Sequence, residues 1–284
     1  MRSLRTLAAL ATASVLVLAG CSTGSGSASS GDSSASGSPQ SGAVVTLKVG
    51  ASPTPHAKIL QYIEDNLAAK AGLDIQIVEY TDYVQPNQAL NSGDIDANYF
   101  QHVPYLKSQE ADFGYKFSYG EGIHLEPMGV FSSKIKDLKD FPQGGTIGVI
   151  SDPSNQARAL KVLATNGLVT LPSSGDINVN TVTPLKGAKL QEVEGPQLVR
   201  SLSDVDIAVI NGNYAMEGGL SLAKDALATE SAKDNPNANI LAWNSSASGE
   251  KLAAIKKLDG LLHSDEVRKY IETTWSDGSV IPAF

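Results

Sequence analysis

The sequence predicts an α/β protein of two similar lobes, held behind a secretory leader and a flexible tether. Three observations carry this expectation. Val/Ile-rich stretches alternate with helical segments whose apolar residues recur at spacings of three and four. The segment LKVGASPTPHAKIL is echoed by IGVISDPSNQARAL, and ALNSGDIDANYF by SLSDVDIAVING. The first 42 residues share none of this patterning.

The leader comes first. Arg2 and Arg5 precede the apolar stretch Leu7 to Leu18, then the small residues Ala19 and Gly20, then Cys21, the one cysteine of the chain. That order is the layout of a secretory signal peptide, assigned here to residues 1–20. The stretch is shorter than the roughly 20 residues that span a bilayer. Leu18-Ala19-Gly20-Cys21 resembles the bacterial lipobox, which implies cleavage before Cys21 and lipid attachment to its sulfur. The expected location is the extracytoplasmic side of the cell membrane, through a lipid anchor. Residues 21–42 are nearly all Ser, Gly and Ala, a composition too poor in apolar surface to offset its ordering entropy. They read as a tether with a root-mean-square span of roughly 25 Å.

The body that follows has no cysteine, so no disulfide supports it. The chain carries 22 basic and 30 acidic side chains and a formal charge of −8. An acidic balance without a basic cluster excludes a nucleic-acid partner. Val45 to Gly50 is expected as a strand, Ser52-Pro53-Thr54-Pro55 as a loop, and Ile59, Leu60, Ile63 and Leu67 as one face of a helix closed by Gly72. Asp74 to Tyr80 is the next strand, and Gln88 to Leu90 belongs to a short helix. In NYFQHVPYL, Pro104 is expected to limit regular structure. The second half repeats the plan with a strand at Thr146 to Ile150, a helix at Asn155 to Ala164, and a strand at Val205 to Ile210. Leu125 to Phe131 is the expected first crossing between halves and Asn239 to Trp243 the return. Helices near Gly249–Leu258 and Ser264–Thr273, the latter capped by Ser264, pack back on the first lobe. The lobes are 43–128 with 238–284, and 129–237. Ligands of open α/β sheets bind at strand carboxyl ends, so a cleft between lobes is the expected site.

Arg158 is the residue hardest to explain structurally. In the first turn of a helix, a cation opposes the macrodipole but makes, with free N–H groups, a receptor for a carboxylate or phosphate. The alternative is a surface arginine paired with a nearby acid. Tyr83, Tyr99, Phe100, His102 and Tyr105 cluster in a chain with few aromatics, as a pocket wall for an apolar side chain or a corner covering the sheet. Asn211 ends a strand and can meet a ligand's ammonium or carboxylate, or serve as a turn residue. No nucleophile elbow outside the Ser/Gly tether, phosphate loop, H-E-x-x-H or C-x-x-C motif occurs, so no catalytic residue or cofactor is assigned. His56, His102, His124 and His263 are scattered. The spacing of His102, His124 and Glu126 gives a metal site no support, and no metal is assigned.

Several stretches together resemble the methionine-binding lipoproteins of ABC importers, the NlpA/MetQ-type family: DYVQPNQALNSGDIDANYFQHVPYL at 82–106, EPMGVFSSKIK at 126–136, DPSNQARAL at 152–160, PQLVRSL at 196–202 and AVINGNYA at 208–215. The resemblance covers essentially the whole body. It implies a two-lobed, periplasmic-binding-protein-like (type II) fold that captures methionine, L- and also D-, and delivers it to a membrane permease with its ATPase subunit. It further implies that Tyr83, Phe100, His102 and Tyr105 enclose the thioether, that Asn155 and Arg158 hold the amino-acid end, and that Asn211 contacts polar ligand groups. Two departures stand out: Ile123-His124-Leu125-Glu126, where some members have Thr-Phe-Val-Tyr, and Gly212-Asn213, where some have two threonines. Alternatives are a receptor for another amino acid, a methionine dipeptide or a metal ion, and a surface lipoprotein without a transport role.

Overall fold

A computed structural model describes residues 44–284. The expected signal peptide at 1–20, lipidation site Cys21 and tether to residue 42 lie outside the described residues. Strand β1 (Val45–Ala51) buries Leu47 and Val49 and exposes Thr46 and Lys48, the alternation expected of a pleated strand beside a helical layer. Along the chain follow β2 (Leu73–Glu79), β3 (Ala97–His102), β4 (Phe117–Tyr119) and β5 (His124–Leu125). Next come β6 (Gly129–Phe131), β7 (Thr146–Ile150), the ribbon strands β8 (Val169–Thr170) and β9 (Thr183–Pro184), β10 (Lys189–Val193), β11 (Ile207–Ile210) and β12 (Ala228–Thr229). The chain finishes with β13 (Asn239–Asn244) and β14 (Ile281–Pro282).

These strands make two separate sheets. The first runs β14-β5-β13-β3-β1-β2 with β4 added on β13, and the second β10-β7-β11-β6-β12. In the first, β1 lies parallel between β2 and β3, and β13 is antiparallel to β3. In the second, β7 lies parallel between β10 and β11, and β6 is antiparallel to β11. The sequence echo is therefore a structural echo: β1 and β7 are equivalent central strands, each feeding a helix.

Both crossings differ from expectation. Leu125 to Phe131 is not one strand but an end of β5 and all of β6, one in each sheet, joined by Glu126–Met128. Asn239 to Trp243 does not cross; it lies inside the first sheet as β13, with residues Asn239 to Trp243 all buried, as a strand covered on both faces must be. The return crossing is residues 230–238. Pro104 also behaves differently. It sits in the first turn of the Val103–Phe113 helix, where its missing N–H costs nothing and its fixed φ is already helical.

Ile59, Leu60 and Ile63 of the Lys58–Ile63 helix pack with Leu47 and Val49, and the Gly249–Leu262 and Asp265–Thr274 helices add Ile255, Leu258, Leu262, Val267 and Ile271 to the same core. Gly72, at φ +69°, turns the chain out of the first helical segment into β2. Ser264 accepts the Val267 N–H at 3.3 Å as the expected cap. The second sheet has its own core, with Ile147, Val149, Leu160, Leu163, Ile207 and Val209. No helix among the described residues is long and apolar enough to cross a membrane.

Candidate functional site

The carboxyl end of β3 delivers Phe100 and His102 toward the second sheet, and the Val103–Phe113 helix starting there adds Tyr105. The His102 ring caps that helix: its Nδ1 accepts the Tyr105 N–H at 3.1 Å. This acceptance places the ring proton on Nε2, which donates to Asn155 Oδ1 at 3.1 Å. Burial lowers His102 from 6.5 to about 3, with the Arg158 charge adding to the effect, so the ring is neutral near pH 7.

On the facing side, Asp152 caps the Pro153–Thr165 helix by accepting the Asn155 N–H at 2.9 Å. Asn155 Nδ2 reaches the same carboxylate at 3.2 Å, and its Oδ1 accepts from Asn211 Nδ2 at 2.9 Å. Asn155 is thus held from both ends of its amide. Burial raises Asp152 to about 6 against the pull of these hydrogen bonds.

Arg158 falls in the second turn of that helix, because the helix begins at Pro153 rather than Asn155. The macrodipole argument weakens accordingly, since the effect fades beyond the first turn. Nor is the guanidinium alone. Its Nε and Nη2 donate to the two Glu230 carboxylate oxygens at 2.8 and 2.5 Å, and Nη2 also donates to the Glu126 carbonyl at 2.7 Å. Its partner is an acid, as the structural alternative held, yet the side chain is buried rather than on the surface. Nη1 has no protein partner among the described residues. Burial pushes the Glu230 carboxyl up, but hydrogen bonds and charge from Arg158 outweigh it and hold the group below its ordinary value.

All seven residues named from the sequence, Tyr83, Phe100, His102, Tyr105, Asn155, Arg158 and Asn211, line one cavity with about 330 Å³ of empty space. The rings surround its apolar part: Tyr83 lies 6.1 Å from Phe100 and 5.8 Å from Tyr105, centroid to centroid. Tyr83 also closes against the other side, stacked on Tyr214 at 4.7 Å with its hydroxyl donating to Asn213 Oδ1 at 2.5 Å. Burial raises the Tyr83 phenol well above its ordinary value, which keeps it a neutral donor.

Five further groups line the cavity, Gln101, Glu126, Gly212, Asn213 and Asn239; of these the sequence marked Glu126, Gly212 and Asn213 as departures from the family pattern and did not assign them to the site. Gln101 is the hub of a buried amide network, donating to Asn87 Oδ1 at 2.8 Å and Asn98 Oδ1 at 2.9 Å. That network ties β3 to the Gln85–Ser92 helix. Glu126 joins His124 at 2.8 Å and His56 at 3.2 Å. His56, not His102, completes that cluster, in which one ligand atom from each of the three lies within 4.8 Å of the others. The donor set could hold a divalent cation, and hydrogen bonds link its members as they stand. Tyr99 supplies its hydroxyl to His124 Nδ1, and Asn239 Oδ1 lies 3.1 Å from His56 Nε2. Burial lowers His56 to about 4 and His124 to about 3. A Cβ on Gly212 would lie 2.7 Å from Glu126 Cβ, so the close approach of the Gly212–Glu217 helix to Glu126 requires glycine.

A family model described as NlpA lipoprotein matches residues 47–284. The methionine-binding lipoprotein MetQ of Bacillus subtilis (strain 168) is 37% identical over 242 residues, 82% of this chain and 86% of that protein. A lipoprotein candidate from Actinomyces odontolyticus ATCC 17982 superposes with a TM-score of 0.83 at 65% identity, covering 85% of this chain and all of that one (100%). A nutrient-binding protein from Burkholderia cenocepacia, solved bound to methionine, superposes with a TM-score of 0.79 at 40% identity, over 84% of this chain and 100% of that chain.

Proposed function

Because the chain belongs to the NlpA lipoprotein family, we propose that it is the substrate-binding lipoprotein of an ABC importer and captures methionine for delivery to the membrane permease. One observation carries the reading: side chains from both sheets converge on one small cavity, with rings around its apolar part and amides and charges at the other. An unbranched thioether suits such rings, because sulfur packs favourably at aromatic edges. A zwitterion suits the polar end, where Arg158 Nη1 is available to a carboxylate and Asn211 to an ammonium.

The mechanism is hinge closure. A ligand that touches Tyr83, Phe100, His102 and Tyr105 on one lobe and Asn155, Arg158 and Asn211 on the other binds the closed form better than the open one, and shifts the population by that difference. The lobes are 43–128 with 238–284, and 129–237, hinged at Glu126–Met128 and at 230–238. The closed form presents one shape to the permease and its ATPase subunit. Cys21 carries the lipid that anchors the protein at the membrane.

Isothermal titration with a panel of amino acids tests the reading, supported by mass spectrometry of what co-purifies with the protein. Methionine is expected to bind with micromolar or tighter affinity, about 8 kcal/mol or more, and at a hundredfold excess over Kd to stabilise the protein by about 2.7 kcal/mol. No heat and no shift in melting with methionine would refute it.

A further inference from the structure

The polar end of the cavity is not balanced between donors and acceptors. Glu126 lines it with no cation at hydrogen-bond distance from its carboxylate among the described residues. His124 Nε2 at 2.8 Å and His56 Nε2 at 3.2 Å are its neighbours, and burial keeps both rings neutral near pH 7. Acceptance by His124 Nδ1 from Tyr99 points the His124 N–H at Glu126, and the Asn213 backbone N–H adds a third donor. These groups orient the carboxylate without neutralising it.

A second acceptor stands in the same cavity. Asn211 gives its Nδ2 to Asn155, and its buried Oδ1 has no hydrogen-bond partner. An orphaned acceptor there is costly until a ligand donor reaches it. The cationic side is the opposite case. Arg158 already faces Glu230 through two hydrogen bonds and keeps only Nη1 for a ligand. One carboxylate lacks a cationic hydrogen-bond partner, one amide oxygen lacks a donor, and the one guanidinium is already paired.

Building on the methionine reading above, we propose that the ligand's α-ammonium, held by Glu126 and Asn211, is the compulsory handle, and that the carboxylate end is secondary and open to extension. The ligand class is then a free α-amine bearing a methionine-like side chain, including carboxamides and dipeptides with methionine at the amino terminus. Space for the extension lies beyond Arg158. The arginine also lines a groove of about 670 Å³, with Pro153, Ser154 and Glu230 beside it.

The test is titration of the wild-type protein with L-methionine, L-methioninamide, L-methionyl-glycine and N-acetyl-L-methionine at about pH 6, where the free α-amines are charged. N-acetyl-methionine, which lacks the ammonium, is expected to bind at least 100-fold more weakly than methionine. The amide and the dipeptide are expected within about tenfold. A loss for the N-acetyl compound at least ten times that for the amide supports the proposal; any smaller gap, or the reverse order, overturns it. Glu126→Gln should cost methionine affinity at least tenfold and narrow the gap between methionine and its N-acetyl form. The ligand series is run on wild-type protein, so misfolding of the Glu126→Gln variant leaves the test intact. Failure of methionine itself to bind would defeat the methionine reading instead. The same comparison on whichever amino acid of the panel binds then decides the amine rule.

Discussion

Arg158→Ala is expected to weaken the protein even before any ligand is added. The guanidinium bonds to both crossing segments: the Glu126 carbonyl on one, and Glu230 on the other. Glu230 in turn accepts the Met128 N–H at 3.1 Å. Removing Arg158 leaves a largely buried carboxylate with only the Met128 N–H and the Asn235 side chain, and a carbonyl without its donor. Breaking a buried pair from one side costs about 3–5 kcal/mol, which in a body of this size lowers the melting temperature by about 6–20 °C. Chemical denaturation of ligand-free protein measures it, alongside Glu230→Met and the Arg158→Met/Glu230→Met double variant. The double variant removes both charges, so it should recover about half the loss, with a coupling energy of at least about 2 kcal/mol. The penalty is also pH-dependent. Glu230 titrates below its ordinary value when paired, so its stabilisation is full near pH 7 and fades as the pH falls through that depressed value. An Arg158→Ala loss under about 1 kcal/mol at pH 7, or coupling within about 0.5 kcal/mol of zero, would refute the reasoning.

Other expectations follow from the same contacts. His102 drops from 6.5 to about 3 on folding, so between those values the unfolded chain binds a proton the folded one refuses. Wild type therefore loses about 3 kcal/mol from this residue by about pH 4; His102→Gln escapes that loss, and a stability difference that stays flat from pH 7 to 4 would contradict the shift. Tyr99→Phe removes the donor to buried His124 Nδ1 and should cost about 1–3 kcal/mol in urea denaturation; an unchanged midpoint would show that the bond contributes nothing. Gly212→Ala sets a methyl against Glu126 and should cost about 1–3 kcal/mol of stability and at least tenfold in methionine affinity. Unchanged melting and affinity together would show that the helix and Glu126 can move apart freely.

Much of the architecture was legible because it rests on local chemistry. Alternation in Val45 to Ala51, the left-handed exit at Gly72 and the cap at Ser264 each depend on residues a few positions apart. The echo between LKVGASPTPHAKIL and IGVISDPSNQARAL translated into equivalent central strands because a strand, a Ser/Pro turn and a helix are specified within one short segment. The seven cavity-lining residues were reachable for a related reason: six lie in or beside a strand end or helix start, where open α/β sheets place ligands, and Arg158 lies one turn further into its helix. Pro104 was misjudged because proline reads as a breaker until its place in the first helical turn is known.

Pairings between distant segments were another matter. Nothing near Arg158 in the chain announces Glu230, and nothing near Glu126 announces His56, since residues 72 and 70 positions apart meet only when two crossings bring the sheets together. The chain's own order of residues determined an α/β body with rings and an arginine around a cleft. Its folding in three dimensions decided which acid neutralises that arginine and which stays without a counter-charge. Charge balance in a buried site depends on distances of a few ångströms, which linear spacing does not encode.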